Sequence, residues 1–260
     1  MGIDVAHVEA GIRSGDMTMP EEINRIVTDS ICDYYFTTSK SANNNLLTYN
    51  VPVEKIFFVG NTMIDTLLYN LHKIKRPYFL DEYQIKAKEF ILLTLHRPSN
   101  VDNPDKLKGI LEAVMSSAEN NKIIFPVHPR TKLILEKLNF SNKNILMIDP
   151  QGYLEFIYLV KNTKAIVTDS GGITEEATVL NIPCLTMRNS TERPETVSFG
   201  TNELIGDDIG KLKSSLKLII NNQWKTGTIP PLWDGKTSER IVNIVYSLYE
   251  MNTKSTAVLN

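Results

Sequence analysis

Carboxylates and guanidinium groups crowd the first stretch of the chain. Glu9 closes the apolar run that begins at Val5, Arg13 follows a glycine turn at Gly11, and Pro20 is followed by Glu21, Glu22 and Arg25. Pro at a first helical position with acids behind it marks a helix start, and Glu21 and Arg25, four apart, share a face of that helix. Two carboxylates brought together from a strand end and a helix start can act as general acid and base, provided their surroundings push their pKa values apart. The plainer alternative is a capped helix with a surface ion pair.

Two histidines end apolar runs further on: His96, followed by Arg97, and His128, followed by Pro129. A His with an Arg at a strand end can neutralise a phosphate leaving group; each can equally be a half-buried residue with its hydrogen bonds satisfied. Ala165–Val167 then reads as a buried strand, Thr168-Asp-Ser-Gly-Gly172 as a tight turn, and 173–180 as a helix. Glycine at such a turn admits close backbone approach, and the free N–H groups and dipole of a helix start favour an anion. Ser170 adds a hydroxyl, and Glu175 or Glu176, one turn in, can reach a pair of sugar hydroxyls. The alternative is an ordinary turn whose Ser or Asp caps the helix. Arg193, in Thr191-Glu-Arg-Pro-Glu195, suits bidentate phosphate contact better than Lys would. Phe156 is a candidate for flanking a flat base, or a core aromatic.

The elements that must position these groups alternate regularly. Strands are expected at 5–10, 33–38, 56–59, 90–95, 122–127, 144–148, 165–167, 183–187 and 203–205. Helices are expected from Pro20, at 40–49, 62–72, 104–118, 131–138, 153–160, 173–180, 209–220 and 238–249, with a short one in 78–88. Such alternation means βαβ units and a parallel sheet, whose ligands bind at the carboxyl ends of the strands. That rule singles out Glu9, His96, Arg97, His128, Ser170 and Arg188.

With 260 residues the chain can bury a substantial core. A net charge of −2 provides no basic field for nucleic acid or an anionic membrane. Cys32 and Cys184 lie far apart in apolar runs and read as reduced core residues of a cytoplasmic protein. No run approaches membrane-spanning length, and no signal peptide is expected. No His/Cys grouping has metal-ligand spacing, so neither metal nor cofactor is expected.

Together the motifs resemble those of the non-hydrolysing UDP-N-acetylglucosamine 2-epimerases. The matching strings are His7-Val-Glu-Ala-Gly-Ile-Arg13, Met19-Pro-Glu-Glu-Ile-Asn-Arg25, Gly60-Asn-Thr62 with Asp65, Leu95-His-Arg97 with Asn100, Pro126-Val-His-Pro129, Asp149-Pro-Gln151, Thr168–Glu176 and Thr191–Glu195. They run in the family's order over nearly the whole chain. The resemblance implies an α/β, GT-B-like architecture of two Rossmann-like domains with a sugar nucleotide between them. It implies interconversion of UDP-GlcNAc and UDP-ManNAc by elimination and re-addition of UDP. Carried over by position, Glu9 and Glu21 would be the acid/base carboxylates, and His96 would assist the departing diphosphate. Arg25 would hold the sugar end, and Ser170, Gly171 and Gly172 the phosphates. Glu176 would take the ribose hydroxyls, Arg193 the diphosphate and Phe156 the uracil, with His128 a further substrate contact. A UDP-sugar-binding module without turnover, a hydrolysing relative, a GT-B glycosyltransferase and an epimerase of the related UDP-diacetamido uronic acid stand as alternatives.

Family members carry a long segment ahead of the His-Val-Glu-Ala-Gly string, most of a first Rossmann-like domain, which this sequence lacks. The expected division is therefore 1–51 as a remnant of that domain, 52–236 as the UDP-binding Rossmann-like domain, and 237–260 as a terminal helix and tail. A strand without its sheet neighbours exposes an apolar edge, so residues 1–50 are expected to be poorly packed alone or covered by a homodimer partner or a chain supplying the missing half. Pro98-Ser99 also departs from the Arg-Glu of many bacterial members.

Overall fold

The computed structural model describes residues 3–138, 140 and 142–258, with the backbone alone for residue 130 and for 251–258. The chain runs β1 (Ala6–Ala10), α1 (Pro20–Ile31), β2 (Tyr34–Thr37), α2 (Lys40–Thr48), β3 (Ile56–Phe58) and α3 (Thr62–Asn70). It continues with α4 (Phe79–Glu82), β4 (Phe90–Thr94), α5 (Pro98–Val101), α6 (Pro104–Ser117), β5 (Lys122–Pro126), α7 (Pro129–Lys137) and β6 (Ile145–Ile148). It ends with α8 (Tyr153–Asn162), β7 (Ala165–Thr168), α9 (Gly171–Val179), β8 (Cys184–Thr186), α10 (Pro194–Ser198), β9 (Asn202–Leu204), α11 (Ile209–Ile220) and α12 (Thr237–Val258). The expected helix-strand alternation is present throughout. Among the described residues, the two α-helices not foreseen, α5 and α10, are four and five residues long and too short to show a 3.6-residue period, although each opens on Pro.

The strands form two parallel sheets, each in its own compact unit. One unit runs up to Tyr69 and resumes at Pro230; the other is Asn70–Ile229. This grouping differs from the expected 1–51, 52–236 and 237–260 division, because β3 pairs in parallel with β2 and the returning chain is tied to the first unit. Trp233 is buried there and donates from its indole to Thr38 O at 3.1 Å. Asp65 in α3 accepts from the amides of Thr237 and Ser238 at 3.1 and 2.7 Å, capping α12.

In the first unit the sheet order is β1-β2-β3. The register of β1 on β2 slips between Val8 and Ala10, at Glu9, whose φ of +70° is left-handed. Gly11 follows at φ +74° with no room for a side chain: a Cβ would lie 2.4 Å from Ala42 O. The apolar stripe of α1 does not find a core. Ile23, Val27 and Ile31 are 45%, 54% and 68% exposed, and Ile3 and Val5 ahead of the edge strand β1 and Val8 within it are exposed as well. The exposed apolar edge expected of residues 1–50 is thus a feature of this unit.

In the second unit the six strands are ordered β6-β5-β4-β7-β8-β9, and both faces are buried. Ile91, Leu93, Ile123, Phe125 and Val167 pack beneath α6 and α11, while Phe90, Leu92, Ile124 and Ile166 pack with Leu159, Val160 and Ala177 of α8 and α9. Alternate residues of β4, β5 and β7 feed opposite clusters, which is why these strands are near-continuous apolar runs. Strand order reverses between β4 and β7, the position where doubly wound sheets open a crevice for ligands. No described helix is long and apolar enough to cross a membrane. Cys32 and Cys184 are free thiols.

Candidate active site

At the switch point of the second unit, Thr94 and Thr168 are register partners at the ends of β4 and β7, and their hydroxyls share a 2.6 Å hydrogen bond. The chains then diverge, carrying His96 and Arg97 on one side and Asp169 and Ser170 on the other. Asp169 is fully buried. Its carboxylate accepts from the His96 amide at 3.2 and 3.1 Å, the Arg97 amide at 3.0 Å, Asn100 Nδ2 at 3.1 Å and His96 Nδ1 at 2.8 Å. Burial by itself would raise this acid; the bonds from His96, Arg97 and Asn100 outweigh it and hold the carboxyl below its ordinary range. His96 is raised by its bond to Asp169, against burial and the positive charges of Arg97 and Arg188. Its side chain remains 54% exposed.

Arg97 Nε donates to Asp169 O at 3.1 Å, and Arg188, after β8, makes a buried bidentate pair with Glu192 at 2.8 and 3.0 Å. Ser170 holds the N-cap position of α9 but makes no side-chain cap, so the ordinary-cap alternative is not what the structure adopts. At Gly171 neither a left-handed φ nor packing demands glycine, since a Cβ would meet nothing closer than Arg188 Nη1 at 3.8 Å. The arrangement gathers an imidazole, two guanidinium groups and a helix start at the strand ends, groups of the kind that can contact a phosphate.

The remaining candidates of this unit lie just ahead of α7, along α8 and α9, and in the loop after β8. Arg193 Nε pairs with Glu175 Oε1 at 2.7 Å. Glu176 is buried and hydrogen-bonded to Tyr153. Burial, with the neighbouring Glu175 charge, pushes its carboxyl up to about 7, and burial together with Glu176 pushes the Tyr153 phenol up to about 12. Phe156, one turn along α8, is partly buried and packs against the core cluster. His128 is exposed, and its carbonyl accepts from Lys132 N within the first turn of α7.

In the first unit the Glu9 carboxylate accepts from Thr62 Oγ1 at 3.0 Å. Glu21 is exposed in the first turn of α1, whereas Glu22 is buried and binds the loop before the helix: Ser14 N at 2.8 Å and Gly15 N at 3.0 Å. Arg25 lies 3.6 Å from Glu22 at i,i+3. Asp29, also buried, accepts from His7 at 2.6 Å, Arg13 at 2.6 Å and Gly11 N at 3.2 Å. Glu9 is thus flanked on both sides by residues tied to α1.

Sequence reading picked out the groups at the strand ends but not Asp169, Tyr153, Glu22 or Asp29 as their supports. The signals were faint. Asp169 stands inside the turn motif where Ser and Gly drew attention, and Asp29 sits mid-helix where an acid ordinarily faces water.

The family model described as UDP-N-acetylglucosamine 2-epimerase matches residues 1–246. A Methanocaldococcus jannaschii protein named UDP-N-acetylglucosamine 2-epimerase is 47% identical over 257 residues, covering 94% of this chain and 69% of its own length. The crystal structure of the M. jannaschii UDP-GlcNAc 2-epimerase in complex with UDP-GlcNAc and UDP superposes with a TM-score of 0.81 at 46% identity, over 94% of this chain and 69% of that one. A Pseudomonas aeruginosa protein named UDP-2,3-diacetamido-2,3-dideoxy-D-glucuronate 2-epimerase is 40% identical over 207 residues, covering 78% of this chain and 57% of the relative. These matches bear out the expected α/β, Rossmann-type class.

Proposed function

Since the chain belongs to the UDP-N-acetylglucosamine 2-epimerase family, we propose that it is an isomerase that inverts C2 of a UDP-linked N-acetylhexosamine, interconverting UDP-GlcNAc and UDP-ManNAc. The observation that supports this reading is the strand-end assembly of His96, Arg97, Arg188 and the start of α9, whose donors suit the diphosphate of such a ligand. The diacetamido uronic acid nucleotide is the less favoured substrate, since its named relative matches over a shorter span.

In the elimination step a carboxylate removes the C2 proton while the C1–O bond breaks, leaving 2-acetamidoglucal and UDP. In the return step the proton is delivered to the opposite face of C2 and the UDP oxygen re-adds at C1. Glu9 and Glu21 carry the proton on the two faces, and Arg25, tied to Glu22, orients the carboxylate end. His96 as imidazolium and the start of α9 with Ser170, Gly171 and Gly172 offset the charge that develops on the leaving diphosphate. Arg193 adds to that charge compensation, while Glu176 takes the ribose hydroxyls, His128 makes a further polar contact, and Phe156 lies against the base. The open edge of β1 and the bare stripe of α1 support assembly, either as a homodimer or with a partner chain.

The test is proton NMR of UDP-GlcNAc incubated with the protein in D2O. UDP-ManNAc appearing with deuterium at C2 is the expected result. Free ManNAc with UDP would assign a hydrolase instead, and UDP binding without turnover would leave a binding module.

A further inference from the structure

We infer that Asp169 is a positioning residue for the reaction: through His96 Nδ1 and the amides of residues 96 and 97 it sets the imidazole so that Nε2 carries a proton to the leaving phosphate. This rests on the reading of the site given above, and nothing in that reading required Asp169.

A carboxylate only accepts hydrogen bonds, so a contact of 2.8 Å to Nδ1 fixes a proton on that nitrogen. Nε2 is then the ring nitrogen left for a ligand, on a side chain 54% exposed. A neutral ring of this tautomer would offer the phosphate a lone pair; only the imidazolium offers a donor. The charged groups acting on His96 are Asp169, Arg97 and Arg188. The two arginines oppose a third positive charge, so the buried carboxylate is what allows one beside them. The same carboxylate accepts from Asn100 Nδ2, which also holds Met187 O at 2.9 Å. One side chain therefore ties together the strand ends of β4, β7 and β8. Spread over five contacts and fully buried, Asp169 cannot swing away when a ligand arrives, which is what preorganisation of a donor requires.

The test begins with 15N NMR of the histidine rings in the unliganded protein, His96 being assigned among the four histidines with His96→Gln. The expected result is a neutral tautomer protonated at Nδ1, and a His96 titration that moves to lower pH in Asp169→Asn. A His96 ring protonated at Nε2 in its neutral form, or one whose titration is unmoved by Asp169→Asn, overturns the inference even if the protein binds no UDP. Where UDP binds, Asp169→Asn should weaken it about tenfold at pH 8, as for one lost charge-assisted hydrogen bond. That loss should shrink at pH 6 and vanish in the His96→Gln background. A loss equal at both pH values and undiminished without His96 marks a purely structural role. Should Asp169→Asn fail to fold, the tautomer in the unaltered protein still decides the matter.

Discussion

Arg193 Nε lies 2.7 Å from Glu175 Oε1, with the two side chains only 10% and 3% exposed. A guanidinium proposed to meet a diphosphate is therefore already committed to a buried carboxylate, which fixes its position. Removing it with Arg193→Ala has two separable effects. UDP binding should weaken by about 1.5–3 kcal/mol, and loss of the buried ion pair with Glu175 should destabilise the fold by about 3–5 kcal/mol. The double change Arg193→Ala with Glu175→Gln should restore much of the melting temperature without restoring affinity. Calorimetric UDP affinity unchanged by Arg193→Ala would remove this residue from the site.

Glu9 combines a carboxylate proposed for proton transfer with a backbone φ of +70°, a conformation that costs an L-residue about 1–2 kcal/mol. Strain of this kind persists where function selects the side chain. Glu9→Gly should hold or raise the melting temperature while abolishing epimerisation, and Glu9→Gln should abolish turnover with UDP affinity nearly intact. If Glu9→Gly lowers the melting temperature instead, the carboxylate's bond to Thr62 outweighs the strain.

Glu176 makes stability depend on pH in a direction that can be checked. Its folded pKa of about 7 stands above the ordinary value of 4.5, so the folded state binds more protons between those values, and stability falls as pH rises from about 4.5 to 7. Glu176→Gln should flatten that slope and exceed the unaltered protein by about 1–3 kcal/mol at pH 8 in chemical denaturation. Tyr153→Phe removes the bond that favours the carboxylate, so it should steepen the slope. Parallel curves for all three proteins would contradict the buried, shifted carboxyl.

Ile23, Val27 and Ile31 are exposed on one side of α1, and their replacement by Lys should change folding stability by less than about 0.5 kcal/mol. Assembly should respond instead: sedimentation velocity of the triple variant is expected to show less association than the unaltered chain at equal concentration. Identical sedimentation profiles would mean that this stripe is not the assembly surface.

Local pattern was enough for the element order and the fold class. The helix at Ile209–Ile220 follows from its apolar spacing, and β4, β5 and β7 follow from their short apolar runs, because periods of 3.6 and 2 are properties of neighbouring residues. The strand-end rule likewise singles out Glu9, His96 and Ser170 from the sequence, because parallel sheets present their carboxyl ends to ligands whatever the sequence between them. What only tertiary structure decided is which partners those residues keep. Asp169 meets His96 and Arg97 across more than seventy residues, Glu9 meets Thr62 across 53, and β3 joins β2 rather than the sheet that follows it. Such pairings depend on strand order and on which buried charge needs a partner, and neither quantity is carried by the spacing of residues along the chain.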